Sequence, residues 1–154
     1  MEFKVTTAAH QDTVRLEGHV NETAVPAFVL LERRLKSVRV AFNLRGVDSF
    51  NSLGAMEWMA LVGRLARTRE VVFEDCGPAF VDLANMIPQF AEPQRVVNVL
   101  APYACRKCGE RFAVPFQAAQ AKALSRFPTH ACAACGGEAA AEVPSEDYCL
   151  FLRA

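Results

Sequence analysis

Four of the six cysteines fall into two pairs with the same local sequence. Cys105-Arg-Lys-Cys108-Gly109 and Cys132-Ala-Ala-Cys135-Gly136 both read C-x2-C-G, with 23 residues between the pairs. Two thiolates at this spacing grip one ion from a tight turn, and the backbone N–H groups after the first cysteine can donate to sulfur. A glycine after the second cysteine takes the positive φ that the turn needs. The pattern predicts one zinc ion per chain, held by Cys105, Cys108, Cys132 and Cys135. Four thiolates fill a tetrahedral shell, so the zinc would be structural rather than catalytic. His130 offers a nitrogen two residues before the second pair and is expected to be a solvated loop residue. Cys76 and Cys149 have no partner at metal spacing and are expected as small buried side chains.

A different chemistry is available at residues 47–55, Val-Asp-Ser-Phe-Asn-Ser-Leu-Gly-Ala, which join an alternating pattern to a helical one. Ser52 would stand at a helix start, where free N–H groups and the helix dipole favour negative charge. A phosphate on Ser52 would be electrostatically welcome there. The same residue types also suit an ordinary N-cap, by Asn51 or Ser52.

Other chemistries lack their residues. Lys plus Arg and Asp plus Glu are 17 each, and residues 1–102 and 103–154 are each nearly neutral, so no basic footprint for a polyanion exists. Arg95, Arg106, Lys107 and Arg111 form a small basic group, expected as a solvated face. No Ser-His-Asp, Cys-His or paired-carboxylate pattern stands out, and His10, His19 and His130 fall in predicted loops or turns, so no catalysis is expected. No apolar run reaches membrane-spanning length. The start, Met1-Glu2-Phe3-Lys4, lacks the basic and apolar regions of a signal peptide, which predicts a cytoplasmic protein. In a reducing compartment, six cysteines imply metal binding or packing rather than disulfides.

The elements that must position these residues follow from periodicity. Phe3, Val5 and Thr7, then Val14 and Leu16, alternate as a hairpin, with Gly18 closing its second strand. A helix is predicted from about Ala24 to Lys36, with Pro26 in its first turn. Val38, Val40, Phe42 and Leu44 form a strand with one apolar face, ended by Gly46. A second helix runs from about Asn51–Gly54 to Thr68, with Met56, Met59, Ala60 and Gly63 on one face. Glu70–Glu74 is a strand, and Gly77-Pro78 opens a third helix that Pro88 stops. Val96–Leu100 is another strand. The order β-β-α-β-α-β-α-β predicts an α/β domain with some parallel pairing. Composition changes near Pro102-Tyr103, dividing the chain into a domain of residues 1–102 and a module of residues 103–154.

Two resemblances add to this reading. Residues 103–152 resemble the zinc-ribbon family, with strands expected at Phe112–Phe116, near Ala139–Val143 and at Tyr148–Leu152. Leu16-Glu-Gly-His-Val-Asn21, Val40-Ala-Phe-Asn-Leu-Arg-Gly-Val47 and Phe50-Asn-Ser-Leu-Gly54 resemble the STAS domain, named for sulfate transporters and anti-sigma factor antagonists, over residues 10–100. Residues 73–83 look like that family's later strand and helix. The resemblance implies a mixed sheet with helices mainly on one face, plus the small zinc-ribbon β module. It also implies a protein–protein switch or scaffold in bacterial signalling, whose partner is an anti-sigma-type serine kinase or a signalling assembly. Ser52 matches the serine that the partner kinase phosphorylates in antagonist members, and Asn51, Ser52, Leu53 and Gly54 match the partner-binding loop. Asn51 stands where Asp is usual, and Leu53 replaces a second Ser. A nucleic-acid-binding zinc ribbon and a lipid-transport-associated STAS protein are the alternative roles these families offer.

Overall fold

The computed structural model describes residues 1–153. The first strands are β1 (Glu2–Ala8) and β2 (Gln11–Val20), an antiparallel hairpin that pairs Phe3 with Leu16 and Val5 with Val14. A short 3-10 turn, capped by the Asn21 side chain, leads into α1 (Val25–Arg34), whose Pro26 sits in the first turn where its missing N–H costs nothing. Then follow β3 (Arg39–Phe50), α2 (Ser52–Leu65), β4 (Glu70–Glu74) and α3 (Pro78–Met86). β3 lies parallel to both β2 and β4, giving a mixed sheet in the order β1-β2-β3-β4.

The apolar face of that sheet carries Val14, Leu16, Val40, Phe42 and Leu44, all fully buried, and the helices cover it with Phe28, Leu31, Trp58, Leu61 and Phe80. Trp58 is the hub, with its ring centroid 4.9 Å from that of Phe42 and 5.8 Å from that of Phe73. The opposite face is open: Lys4, Arg15, Asn43 and Glu74 stand side by side across the four strands. A mixed sheet with helices mainly on one face is therefore present, as expected.

The second sheet contains β5 (Asn98–Cys105), β6 (Arg111–Gln117), β7 (His130–Ala131) and β8 (Glu138–Ala141), in the order β6-β5-β8-β7. Two short helices, α4 (Ala118–Ala123) and α5 (Ser145–Tyr148), flank it, and a 3-10 turn follows at Leu150–Arg153. Val97 and the first residues of β5 continue the first sheet, since Val97 N–H donates to Phe73 C=O (2.8 Å) and Leu100 N–H to Cys76 C=O (2.9 Å). Pro102 lies inside β5, so this strand belongs to both halves of the chain.

Several expectations change. β2 and β3 run past Gly18 and Gly46, because both stay paired in the parallel ladder, Gly46 opposite Glu17 and Gly18 opposite Val47, with a register shift on either side of these pairs. On α2 the buried stripe is Ala55, Trp58, Leu61 and Leu65, while Met56 is 60% exposed. The large indole, docked on Phe42 and Phe73, sets the helix rotation and turns the methionine stripe outward. Tyr148–Leu152 is helical, not a strand. Tyr148, Phe151 and Leu152 bury one face at i, i+3 and i+4, and the Asn85 side chain on α3 accepts from Phe151 N–H (2.8 Å) and donates to Tyr148 C=O (3.0 Å).

Candidate metal centre and the Asn51–Gly54 turn

Both cysteine turns are built the same way. The N–H of Cys105 donates to Glu110 C=O (2.9 Å) and that of Gly109 to Cys105 C=O (3.0 Å). In the second turn, Cys132 N–H donates to Gly137 C=O and Gly136 N–H to Cys132 C=O, both at 2.8 Å. Gly109 (φ 75°) and Gly136 (φ 68°) adopt the left-handed conformation that closes each loop. The strands then bring the turns together, because β5 leads into the first pair, β7 and β8 flank the second, and Cys105 sits opposite Ala139.

The four sulfurs lie within 4.8 Å of one another. Cys105 Sγ is 3.5 Å from Cys135 Sγ, and Cys108 Sγ is 3.7 Å from Cys132 Sγ. A tetrahedral ion with sulfur ligands at ~2.3 Å separates its ligands by about 3.8 Å, so the cluster has the size of such a shell. The N–H of Cys108, with that of Lys107, favours the Cys105 thiolate and draws its pKa down to about 6. The N–H of Glu110 favours the Cys108 thiolate too, but the neighbouring Cys135 and Cys105 sulfurs outweigh it and push that thiol up to about 12. Four thiols this close ionise together only around a cation. The donor set, its spacing and its amides fit a bound metal ion.

The other sulfur and imidazole groups stay outside this cluster. Cys76 and Cys149 are fully buried as expected, and burial raises both thiols, Cys149 to about 11. His130 is not a solvated loop residue. It lies in β7 with its ring edge-on to Tyr103 (5.1 Å), and its Nε2 is buried without a partner.

At the α2 start, Asn51 is the cap, since its Oδ1 accepts from Gly54 N–H (2.8 Å) and its Nδ2 donates to Glu22 (2.7 Å). That bond holds the Glu22 carboxyl below the usual carboxylate range. Ser52 and Leu53 are exposed, Leu53 by 53%. Gly54 is buried instead. A Cβ there would lie 2.0 Å from the Val20 carbonyl oxygen, so Gly54 lets the helix start rest on the end of β2. The accessible part of the turn is therefore residues 51–53. The Gly54-Ala55 pair of small residues was the available signal for this close approach.

Three of the four residues of the basic group are ion-paired, and Lys107 has no ion pair among the described residues. Arg95 faces Glu92 (3.0 Å), Arg106 faces Glu138 (2.6 Å) and Arg111 faces Glu142 (3.0 Å). Sequence reasoning missed one polar pair: His19 Nδ1 and Ser49 Oγ, 2.8 Å apart across β2 and β3. Thirty residues separate them in the chain, so no local pattern marks them. Both are exposed, and among the described residues no carboxylate hydrogen-bonds that imidazole.

No family model and no curated protein matches this chain. Solved structures do. The chain is similar to the crystal structure of Mglu, with 25% identity and a TM-score of 0.38 over 47% of this chain and 19% of that one. It is also similar to the anti-sigma factor antagonist SpoIIAA in its unphosphorylated form, with 13% identity and a TM-score of 0.41 over 56% of this chain and 82% of that one. The chain thus spans about a fifth of the length of Mglu. Among the described residues no helix is long and apolar enough to cross a membrane.

Proposed function

We propose that this chain is a non-catalytic, cytoplasmic interaction module of the STAS type, acting in bacterial signalling, with one structural zinc ion in its C-terminal strands. The observation that carries the reading is the exposed start of α2. Ser52 stands free in solvent, beside the exposed apolar side chains of Leu53 and Met56 (53% and 60%). Apolar side chains of this size are ordinarily turned inward on a helix with a buried stripe, and an exposed group of them suits a protein partner. Val25 and Val29 on α1 are also partly exposed, and the Arg64–Glu32 ion pair (3.0 Å) joins the later turns of α1 and α2.

Ser52 would be the switch. Its neighbour Asn51 does the capping, so the serine hydroxyl is free to be modified. Phosphate there would meet the Ser52 and Leu53 N–H groups and add about two negative charges. It would also meet the Glu22 carboxylate held on Asn51. Its main effect would be on the partner, whose surface must then desolvate that charge. The partner would be an anti-sigma-type serine kinase or a signalling assembly.

Cys105, Cys108, Cys132 and Cys135 would hold the zinc. Bound there, zinc supplies a cross-link between β5 and the β7–β8 turn and leaves no open ligand position. Metal analysis of the purified chain tests this half, with one zinc per chain expected. Pull-down from the native cell tests the other, comparing wild type with Ser52→Glu. A partner captured by both equally, with no phosphate on Ser52, would overturn the switch.

A further inference from the structure

The outer edge of the first sheet carries a mismatch of charge. In the β1–β2 hairpin, Glu2 stands directly opposite Glu17, and Lys4 directly opposite Arg15. Like charges facing across a ladder are destabilising. Arg15 and Glu17 resolve their side by pairing with each other along β2 at 2.7 Å. That leaves Glu2 and Lys4, both exposed, without an ion-pair partner among the described residues. β1 is also the end of the sheet, so its outer row of N–H and C=O groups is unpaired.

We infer that β1 pairs with β1 of a second copy of this chain, antiparallel and centred on Phe3. The register follows from charge. With a two-fold axis at Phe3, Glu2 of each copy lies opposite Lys4 of the other, and Met1 lies opposite Val5. Centring on Lys4 would set two lysines face to face, and centring on Val5 would leave both charges opposite Thr6 or Ala8. Only the Phe3 register gives every β1 charge an opposite neighbour.

The apolar side agrees with it. Met1, Phe3 and Val5 are half-buried and point to the helix face, where a groove of about 490 Å³ runs between β1 and α1. Pro26, Ala27 and Leu30 line its far wall, and Leu30 is 44% exposed. The Arg34 guanidinium lies over the Phe3 ring at 5.4 Å. A two-fold perpendicular to the sheet keeps the helices of both copies on one side, so the two grooves face each other across the new junction. The result is one continuous eight-stranded sheet with an isologous interface.

Sedimentation equilibrium of the full chain, tagged at its C-terminus so that β1 stays free, tests the pairing. The expected mass is twice the 16.9 kDa of one chain. Lys4→Glu sets four carboxylates along the junction and Glu2→Lys sets four ammonium groups there, so each variant should sediment as a monomer. The double exchange, Glu2→Lys with Lys4→Glu, restores the pattern in mirror order and should recover the dimer. Circular dichroism keeps the fold in view, since both charges are exposed and each single variant should stay folded. A monomeric wild type overturns the inference, as does a dimer that both single variants leave intact, which would place any association elsewhere.

Discussion

The two halves of the molecule share one core but hold their sheets differently. The first sheet rests on bulk: Trp58, Phe28, Phe42, Phe73 and Phe80 are buried within one apolar layer. The second has two longer strands and two of only two and four residues; its aromatics Tyr103, Phe116, Phe127 and Tyr148 form a smaller buried layer continuous with the first, and its turns converge on four sulfurs. A large core tolerates the loss of one contact, whereas the cysteine turns lie at the end of the smaller layer, where little else joins β5 to the β7–β8 turn. The difference also divides the two candidate sites. The cysteine cluster should then matter to the stability of its own half, while the Ser52 surface is an exposed face on the other half.

Removing the metal ligands should break this contrast most strongly. Structural zinc contributes on the order of 10 kcal/mol in small modules, so chelation or Cys132→Ser should unfold the β6-β5-β8-β7 sheet first. Hydrogen exchange should show protection lost at Tyr103, Phe112 and Ala139 while Phe42 and Leu61 keep theirs. Because β5 bonds to Cys76, just past β4, and Val97, just before β5, bonds to Phe73, the loss should reach β5 and fade before β3. Uniform loss across both sheets would mean that the halves fold as one unit.

The first half has its own single point of failure at Gly54. Alanine there drives a methyl into the Val20 carbonyl. Gly54→Ala should cost on the order of 3 kcal/mol, since a backbone carbonyl cannot rotate away as a side chain can. For a chain of this length that is a fall of about 10 °C in Tm. Gly63→Ala is the control, because nothing lies within 4 Å of that position. It should leave Tm unchanged or raise it slightly.

These two results would come from features of different legibility. The cysteine turns were readable because everything they need is local: the C-x2-C spacing, the glycine and the first-turn amides all lie within five residues. The one-faced sheet was readable from alternation in β3. The rotation of α2 was not, since Met56-Met59-Ala60-Gly63 and Ala55-Trp58-Leu61-Leu65 are both apolar stripes and only docking on Phe42 and Phe73 chooses between them. The helical Tyr148–Leu152 depended likewise on Asn85, more than sixty residues away, which bonds its backbone. Residues that act through distant partners leave no spacing to read.

Asp12 is such a residue, and it makes the first half sensitive to acid. It is fully buried, and its carboxylate accepts from Lys36 N–H (2.6 Å), Ser37 N–H (2.7 Å) and Thr7 hydroxyl (2.5 Å), tying the end of α1 to β2. Burial opposes its ionisation, but the Ser37 N–H, the Thr7 hydroxyl and the Lys36 N–H outweigh it and hold the carboxyl below its usual range. A depressed folded pKa means stabilisation that is complete above the unfolded value of about 3.9 and is lost as pH falls through the folded one. Asp12→Asn should cost about 1–3 kcal/mol at neutral pH, because its amide cannot accept all three bonds. The gap between wild type and variant should narrow in thermal melts as pH drops below about 3.9. Acid release of a metal ion from the cysteine cluster would affect both proteins and cancel in that difference. A gap that stays constant with pH would mean that the Asp12 charge adds nothing to its shape.

The smallest effect distinguishes a cap from a switch at the start of α2. Asn51 caps the helix and holds Glu22, so Asn51→Ala should cost about 1 kcal/mol. Ser52 is exposed and takes no part in that capping, so Ser52→Ala should change stability by less than about 0.5 kcal/mol. Ser52→Glu places a carboxylate near the favourable end of the helix dipole but also near Glu22, and these opposed contributions leave it within about the same margin. Urea denaturation of the three variants checks the order. If Ser52→Ala costs as much as Asn51→Ala, the serine is a cap and its exposure serves the fold. If only Asn51 matters to folding, the two adjacent residues have separate tasks. A partner should then respond to Ser52→Glu with weaker binding in calorimetry, although the variant melts with the wild type. That separation is what a switch on the well-supported half requires, because a site that must change charge repeatedly cannot also hold the helix in place.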